Sequence, residues 1–377
     1  MSNYLLKKGI EVELFGGTPD GQVLPLSGLL KERFRFVSQE PDQRNFEYIT
    51  KPTTDYNVLI KEIIKPRIKI RKFLSKSGMT LIPGSTIPLS YSKNFYPSDP
   101  RNSYHNFIQR KYKTKIITTS LHMNFGIEDN EKLFKLIAAL RLDLPIILAL
   151  SASSCFHDGK LTNYDSFRWH MFPRNPSHTP IFTSHKEHIN WINKNLKNKR
   201  LQNVRHLWTS IRPNGPNRPY DLNRIEIRIS DFVSDTKKII AIVALIEALI
   251  LNYILHDKWP TVLNTNQKEL NKIAMIMEKQ EDLVAKEGLN ATIWDWRSDT
   301  KNKTFKVIEN IIKELQETLR LTGLLKYQKE ILDILENGNE STQFISIYNK
   351  KRSISPTLKY GIEQFNYLDL KYSNDYK

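Results

Sequence analysis

Four stretches of the chain alternate apolar and polar residues with a period of two, the pattern of strands with one buried face. In 9–15, Ile10, Val12 and Leu14 point one way, and Glu11 and Glu13 the other. In 45–49 the polar face holds Asn45 and Glu47. In 118–126, Ser120, His122 and Asn124 stand opposite Leu121, Met123 and Phe125. In 223–231, Arg224, Glu226 and Arg228 stand opposite Ile225, Ile227 and Ile229. If these strands share one sheet, carboxylates, an imidazole, an amide and guanidinium groups converge on one surface. Taken singly, each is also explained by a strand with one wet face.

Helical spacing accounts for most of the rest. A basic amphipathic helix is expected over 56–76, with Pro66 opening a second piece. One long helix bent at Pro145 is expected over 130–151, another over 191–205, and a core helix over 235–256. The Gly- and Pro-bearing segment 16–28 reads as a loop. Segment 78–89 reads as a short strand followed by a bend, and 91–111 as loop plus a short helix. Ser, His, Pro and Gly crowd 151–188, which reads as a long loop region. From about residue 260 the chain is helical and mostly polar, and 372–377 should fray. The class is therefore α+β with a mainly antiparallel sheet. The expected division is a core over 1–256 and a helical extension over 257–377 packed on it, or one domain overall.

Charge sharpens the strand reading. The chain has 57 Lys+Arg against 40 Asp+Glu, so random wet faces should carry Lys at least as often as Glu, yet none of the polar-face residues named is Lys. The net charge of +17 points toward nucleic acid. The basic runs 61–76 and 193–205, however, carry no helix-turn-helix, aromatic RNP or zinc-ligand pattern. A nucleic-acid-binding protein stays the alternative of another class. The single cysteine, Cys155, allows no internal disulfide and fits a reducing cytoplasm. The start lacks a signal-peptide core. The apolar run 239–255 is broken by Glu247 and Asn252, so a buried helix is expected and no membrane span.

Hard oxygen ligands gathered on one face suit Mg2+, with Mn2+ also possible, and the phosphates such an ion neutralises. Glu11 and Glu13 can reach one cation cluster, and Glu40, in a tight polar segment seven residues before Glu47, can approach from a turn. His122 is a ligand candidate that also reads as a structural histidine, with Asn124 on its face. Ser153 and Ser154 sit in a Ser run without a nucleophile-elbow pattern, and Arg168 follows on the same segment. Arg212, Arg218, Arg224 and Arg228 flank Glu226 and leave positive charge for a triphosphate. The chain has no P-loop and no dinucleotide fingerprint, so a nucleotide would be held by metals and arginines.

These residues resemble the glutamate–cysteine ligase family, closest to its cyanobacterial-type branch. The resemblance is carried by seven stretches in order: GIEVELF, EPDQRNFEYITKPTTDY, LIPGSTIPL, TSLHMNFGI, ALSASSCFHDGKLTNYDSFRWHMFP, NVRHLWTSIRPNGPNRPYDLNRIEIRISD and the helix through ALIEALI. It implies a glutamine-synthetase-like fold, a curved, mainly antiparallel sheet forming a funnel with helices outside. It implies ATP-dependent joining of the γ-carboxyl of L-glutamate to the amine of L-cysteine through γ-glutamyl phosphate, the first step of glutathione biosynthesis. By position, Glu11, Glu13, Glu40, Glu47, Glu226 and His122 would form the metal set. Arg212 and Arg228 would be catalytic and, with Arg224, hold ATP; Arg168, Asn124, Ser153 and Ser154 would bind substrate. Another carboxylate–amine ligase with a different acceptor amine is the nearest alternative, and monomer and homodimer both stay open. Cys155 stands where the family commonly has Pro, and Lys113 where relatives often have Gly. The cysteine pair of the plant-type redox switch is missing.

Overall fold

The structure is a computed structural model, described for residues 4–89 and 93–375. Its centre is a seven-stranded sheet, antiparallel at every pair. The strands are β1 (Lys8–Gly17), β2 (Val37–Gln39), β3 (Asn45–Ile49), β4 (Thr80–Ile82), β5 (Leu121–Gly126), β8 (Ile211–Asn214) and β9 (Arg224–Ile227). The order is β2-β3-β1-β5-β9-β8, and β4 pairs with the far end of β1. Two small hairpins lie off the sheet, β6 (Phe156–His157) with β7 (Lys160–Leu161), and β10 (Thr292–Asp295) with β11 (Thr300–Lys303).

Register turns sequence alternation into two chemically distinct faces. Ile10, Val12, Leu14, Leu121, Met123, Phe125, Ile225 and Ile227 all enter the main apolar cluster. Helices Tyr56–Leu74 and Thr236–His256 supply Leu59, Ile63, Ile239 and Val243 to the same cluster. On the other face Glu13 pairs with Glu47, Glu11 with His122, Asn124 with Glu226, and Glu226 with Arg212. The main cluster also takes in Val284, Ile308, Leu319 and Phe365, so residues on both sides of position 256 share one core.

Buried charges fasten the helices. Glu247, the break in the apolar run, receives Lys8 Nζ at 3.1 Å and the Tyr56 hydroxyl at 2.5 Å. Helix Thr236–His256 is long and apolar enough to cross a membrane, but its face from Ile239 to Tyr253 is buried inside the fold. Asp369, on the last helix (Ile354–Asp375), ion-pairs with Arg67 at 2.7 Å and Arg71 at 3.1 Å on helix Tyr56–Leu74.

Several boundaries differ from the sequence expectations. Helix Tyr56–Leu74 runs unbroken through Pro66, because its buried face is packed along its whole length. The expected helix over 130–151 is two, Asn130–Arg141 and Leu144–Ser151. The break falls ahead of Pro145, which sits in the first turn of the second helix, where a missing N–H costs nothing. The helix expected over 191–205 is instead His185–Lys197, capped by Ser184, with a separate 3-10 turn at Val204–His206. The loop region 151–188 holds β6, β7 and a short helix, Phe167–Met171. The segment expected to fray begins with a docked residue, Tyr372, whose hydroxyl donates to Asp235 at 3.2 Å. Tyr91, Tyr376 and Lys377 lie outside the described residues.

Candidate active site

The polar face of the sheet forms one wall of a cavity of about 370 Å³. Glu13, Glu40, Glu47 and His122 line it together with Arg168, Arg205, Arg212 and Arg228. Strand alternation aims Glu13 and Glu47 into the same space from neighbouring strands. Glu40 arrives from the end of β2.

Two carboxylate clusters result. In each, one ligand atom per residue can be chosen so that all lie within 4.8 Å of one another: Glu13 with Glu40 and Glu47, and Glu11 with His122 and Glu226. His122 stands between them. Its Nδ1 is 3.0 Å from Glu11 Oε2, and its Nε2 is 2.9 Å from Ser120 Oγ and 3.7 Å from Glu13 Oε1. Ser120 donates to Glu13 at 2.7 Å.

The clusters differ in charge balance. Glu226 accepts from Arg212 Nε at 2.7 Å, Arg228 Nη1 at 2.5 Å and Asn214 at 2.6 Å. Burial pushes its carboxyl up, but the two guanidinium charges outweigh that and hold it well below the usual range. Glu11 is treated likewise: burial raises it, and the His122 hydrogen bond with the Arg228 charge leaves it lowered. The other cluster has less compensation. Neither the Glu40 nor the Glu47 carboxylate accepts a hydrogen bond from a described residue. Burial, then the charge of Glu13, pushes Glu40 up to about 8; burial, then Glu40, pushes Glu47 well above the usual range. The Arg228 charge, and that of Arg205 on Glu40, only partly offset this, and crowded acceptor-only groups are the donor set a hard divalent cation requires.

The remaining candidates divide. Asn124 donates to Glu11 at 3.2 Å and accepts from Arg224 Nε at 3.2 Å, so both sit beside the Glu11 cluster and outside the cavity lining. Arg168 lines the cavity, yet its Nη1 and Nη2 are spent on the carbonyls of Ile229 at 3.1 Å and Arg228 at 2.9 Å. Its Nη1 also lies 3.5 Å from Asp231, and its buried Nε has no partner. Ser153 and Ser154 do not line the cavity. Ser154 donates to Asp231 at 2.7 Å, and Ser153 donates its N–H to Asp231 at 3.0 Å and its hydroxyl to Phe232 O at 2.6 Å. Their hydroxyls are thus engaged by the protein itself. Cys155 is buried with Phe156, Phe344 and Leu358, and burial pushes its thiol far up.

Sequence reasoning missed Arg205, Tyr104, Phe172 and Trp208 in the cavity wall. Tyr104 lay in a segment without periodicity, and Arg205 in a run of surface cations; only the short distance from Trp208 to Arg212 marked this part of the chain. It also missed Asp231, the acceptor that gathers Ser153, Ser154, Ser166 and Arg168.

A mainly antiparallel sheet carrying clustered carboxylates and arginines, with helices behind it, is the architecture of an ATP-dependent ligase, and comparison with known proteins agrees. The profile of glutamate-cysteine ligase family 2 matches residues 7–355, and the chain belongs to that family. A protein of Solibacter usitatus provisionally named glutamate–cysteine ligase 2 is 26% identical over 311 residues, 81% of this chain and 77% of that one. A Gloeobacter violaceus protein of the same provisional name is 25% identical over 324 residues, 84% and 83% of the two chains. Among solved structures, a glutamate–cysteine ligase from Francisella tularensis in complex with AMP superposes with a TM-score of 0.72 at 14% identity, covering 98% of this chain and 90% of that one. A bifunctional glutathione synthetase from Pasteurella multocida gives 0.73 at 14% identity over 97% of this chain, which spans 53% of that longer one.

Proposed function

We propose that the chain is a cytoplasmic enzyme that joins the γ-carboxyl of L-glutamate to the amine of L-cysteine, releasing ADP and phosphate, as the opening step of glutathione biosynthesis. The observation that carries this is a cavity lined by Glu13, Glu40 and Glu47 together with Arg212 and Arg228, the two arginines that hold Glu226 of the adjoining cluster. A carboxylate does not acylate an amine in water until it is given a leaving group. In the first step a γ-carboxylate oxygen attacks the terminal phosphorus of ATP, ADP departs, and γ-glutamyl phosphate forms. In the second the amine nitrogen attacks the acyl carbon, phosphate leaves with the electron pair, and the amine loses a proton. No protein nucleophile is needed.

The residues fit divalent cations, Mg2+ or Mn2+: Glu13, Glu40 and Glu47 would hold one directly, and Glu11, His122 and Glu226 would hold another once Glu226 shares an oxygen now bonded to Arg212, Arg228 and Asn214. Such ions offset the charge of the triphosphate and of the phosphoryl group in transfer. Arg228 commits only Nη1 to Glu226 and lines the cavity, so its other N–H groups are free to meet phosphate oxygens. Arg212 is fixed by Glu226 and by the carbonyls of Arg205 and Leu207, and adds a preorganised charge. The test is ADP release with Mg2+ or Mn2+, L-glutamate and a panel of amines. Release that requires both glutamate and an amine, with cysteine preferred, is expected. Release of AMP and pyrophosphate would exclude the acyl-phosphate route, and preference for another amine would move the assignment to a sister reaction.

A further inference from the structure

We infer that Arg205 binds the α-carboxylate of an amino-acid substrate. This rests on the ligase reading above and adds a residue that the family comparison did not supply. Of the four arginines lining the cavity, Arg168 is held by backbone carbonyls, Arg212 by Glu226 and two carbonyls, and Arg228 is fixed through Nη1 to Glu226 with its remaining N–H groups beside the Glu226 cluster. The Arg205 guanidinium makes no hydrogen bond or ion pair to a described residue and is exposed at the rim. It lines the cavity together with Glu40, Tyr104 and His105.

The backbone beneath it is held with unusual thoroughness for three residues of 3-10 turn. Asn203 caps the turn, its Oδ1 accepting the Arg205 N–H at 2.9 Å. Arg212 Nη1 donates to the Arg205 carbonyl at 3.3 Å and the Leu207 carbonyl at 2.8 Å. His206, the next residue, is buried. Its Nδ1 accepts from Gln202 N at 3.2 Å, and its Nε2 lies 2.8 Å from the Tyr112 hydroxyl. Four rings, those of Tyr104, Phe107, Tyr112 and Trp208, meet the imidazole edge-on. A rigid base carrying one unengaged planar cation is preorganised for a carboxylate, which matches the guanidinium fork.

The neighbours argue for an amino acid over a triphosphate. Tyr104, Ile108, Ile116 and Trp208 make this part of the wall aromatic and apolar. That suits a short organic side chain beside one carboxylate. The arginines around Glu226 suit phosphate.

The experiment compares wild type, Arg205→Ala and Arg205→Lys on two substrate pairs that differ by the α-carboxylate alone. These are L-cysteine against cysteamine, and L-glutamate against 4-aminobutyrate. Arg205→Ala should lose about tenfold to a hundredfold in kcat/KM for one amino acid and little for its decarboxylated analogue, with the KM for ATP unchanged. Arg205→Lys should recover part of the loss. Loss confined to the cysteine pair assigns the acceptor, and loss confined to the glutamate pair assigns the donor. If the analogues give no turnover, the KM values for the two amino acids against that for ATP decide. Binding of each amino acid by calorimetry, with Mn2+ and a nonhydrolysable ATP analogue, reads the same contact without turnover. An inactive wild type that binds amino acids through Arg205 would therefore defeat the reaction assignment alone. Unchanged kinetics and binding, or a rise in the KM for ATP only, overturns the role given to Arg205.

Discussion

Glu13 and Glu47 stand directly opposite each other on adjacent strands, two carboxylates where a sheet optimised for stability would place opposite charges or apolar side chains. Glu47→Gln should therefore stabilise the cation-free protein, by about 0.2–1 kcal/mol in urea unfolding. The same change should lower kcat by about a hundredfold or more, the scale on which a lost electrostatic contact to a transferring group is felt. A variant that gains no stability, or that keeps near-normal turnover, would return the pair to the status of a wet strand face.

Glu40 sets a pH dependence. Its carboxyl is raised to about 8 in the cation-free fold, against an ordinary 4.5. Between those values the folded protein holds a proton that the unfolded chain has lost, so stability falls as pH rises through the window. A cation replaces that proton and binds more tightly over the same range. The Mn2+-induced rise in Tm should grow from about pH 6 to about pH 8.5, and Glu40→Gln should flatten the slope. A rise in Tm that is the same at every pH would separate Glu40 from the cation.

Asp231 gathers Ser153, Ser154, Ser166 and Arg168 on the segment that follows β9 and carries Arg228. Asp231→Asn leaves a buried guanidinium without its counter-charge, and should cost about 3–5 kcal/mol. Arg168 holds the Arg228 carbonyl, so the variant should also lose kcat, measured below its lowered Tm. Full activity at low temperature would show that Arg228 does not depend on this support.

The Cys155 thiol is buried and pushed up, so thiolate is scarce at neutral pH. Maleimide labelling should be negligible in the native enzyme and rapid in urea. Cys155→Ala should keep its activity before and after mild oxidant. Fast labelling of the active enzyme would place the thiol at an accessible surface.

Alternation made the sheet legible, because in a strand one residue of slip exchanges the two faces. Glu11, Glu13, Glu47, His122 and Glu226 reached one surface for that reason. Glu40 depended on a turn and was found through its polar neighbourhood. The cavity's far wall obeyed no period: Tyr104, Phe172 and Arg205 come from three separate segments that only tertiary packing assembles. Pro66 misled, since the local cost of a proline yields to a helix face packed throughout. Ser153 and Ser154 lie off the cavity lining, bonded within the protein. Nothing in a Ser run reveals that its acceptor, Asp231, lies 77 residues beyond Ser154.

The ion pairs of Asp369 bear on how the molecule is made. Arg71 precedes Asp369 by 298 residues, and Arg67 is wholly enclosed in the finished fold. A ribosome delivers the strands of the cavity and their backing helix long before it delivers the counter-ion for these two guanidinium groups. Until it does, burying them without that carboxylate costs about 3–5 kcal/mol, although Ser234, Thr236 and Thr80 already accept from them. The last helix is thus the piece that completes the charge balance of the core, and a chain lacking it keeps two buried guanidinium groups without their carboxylate.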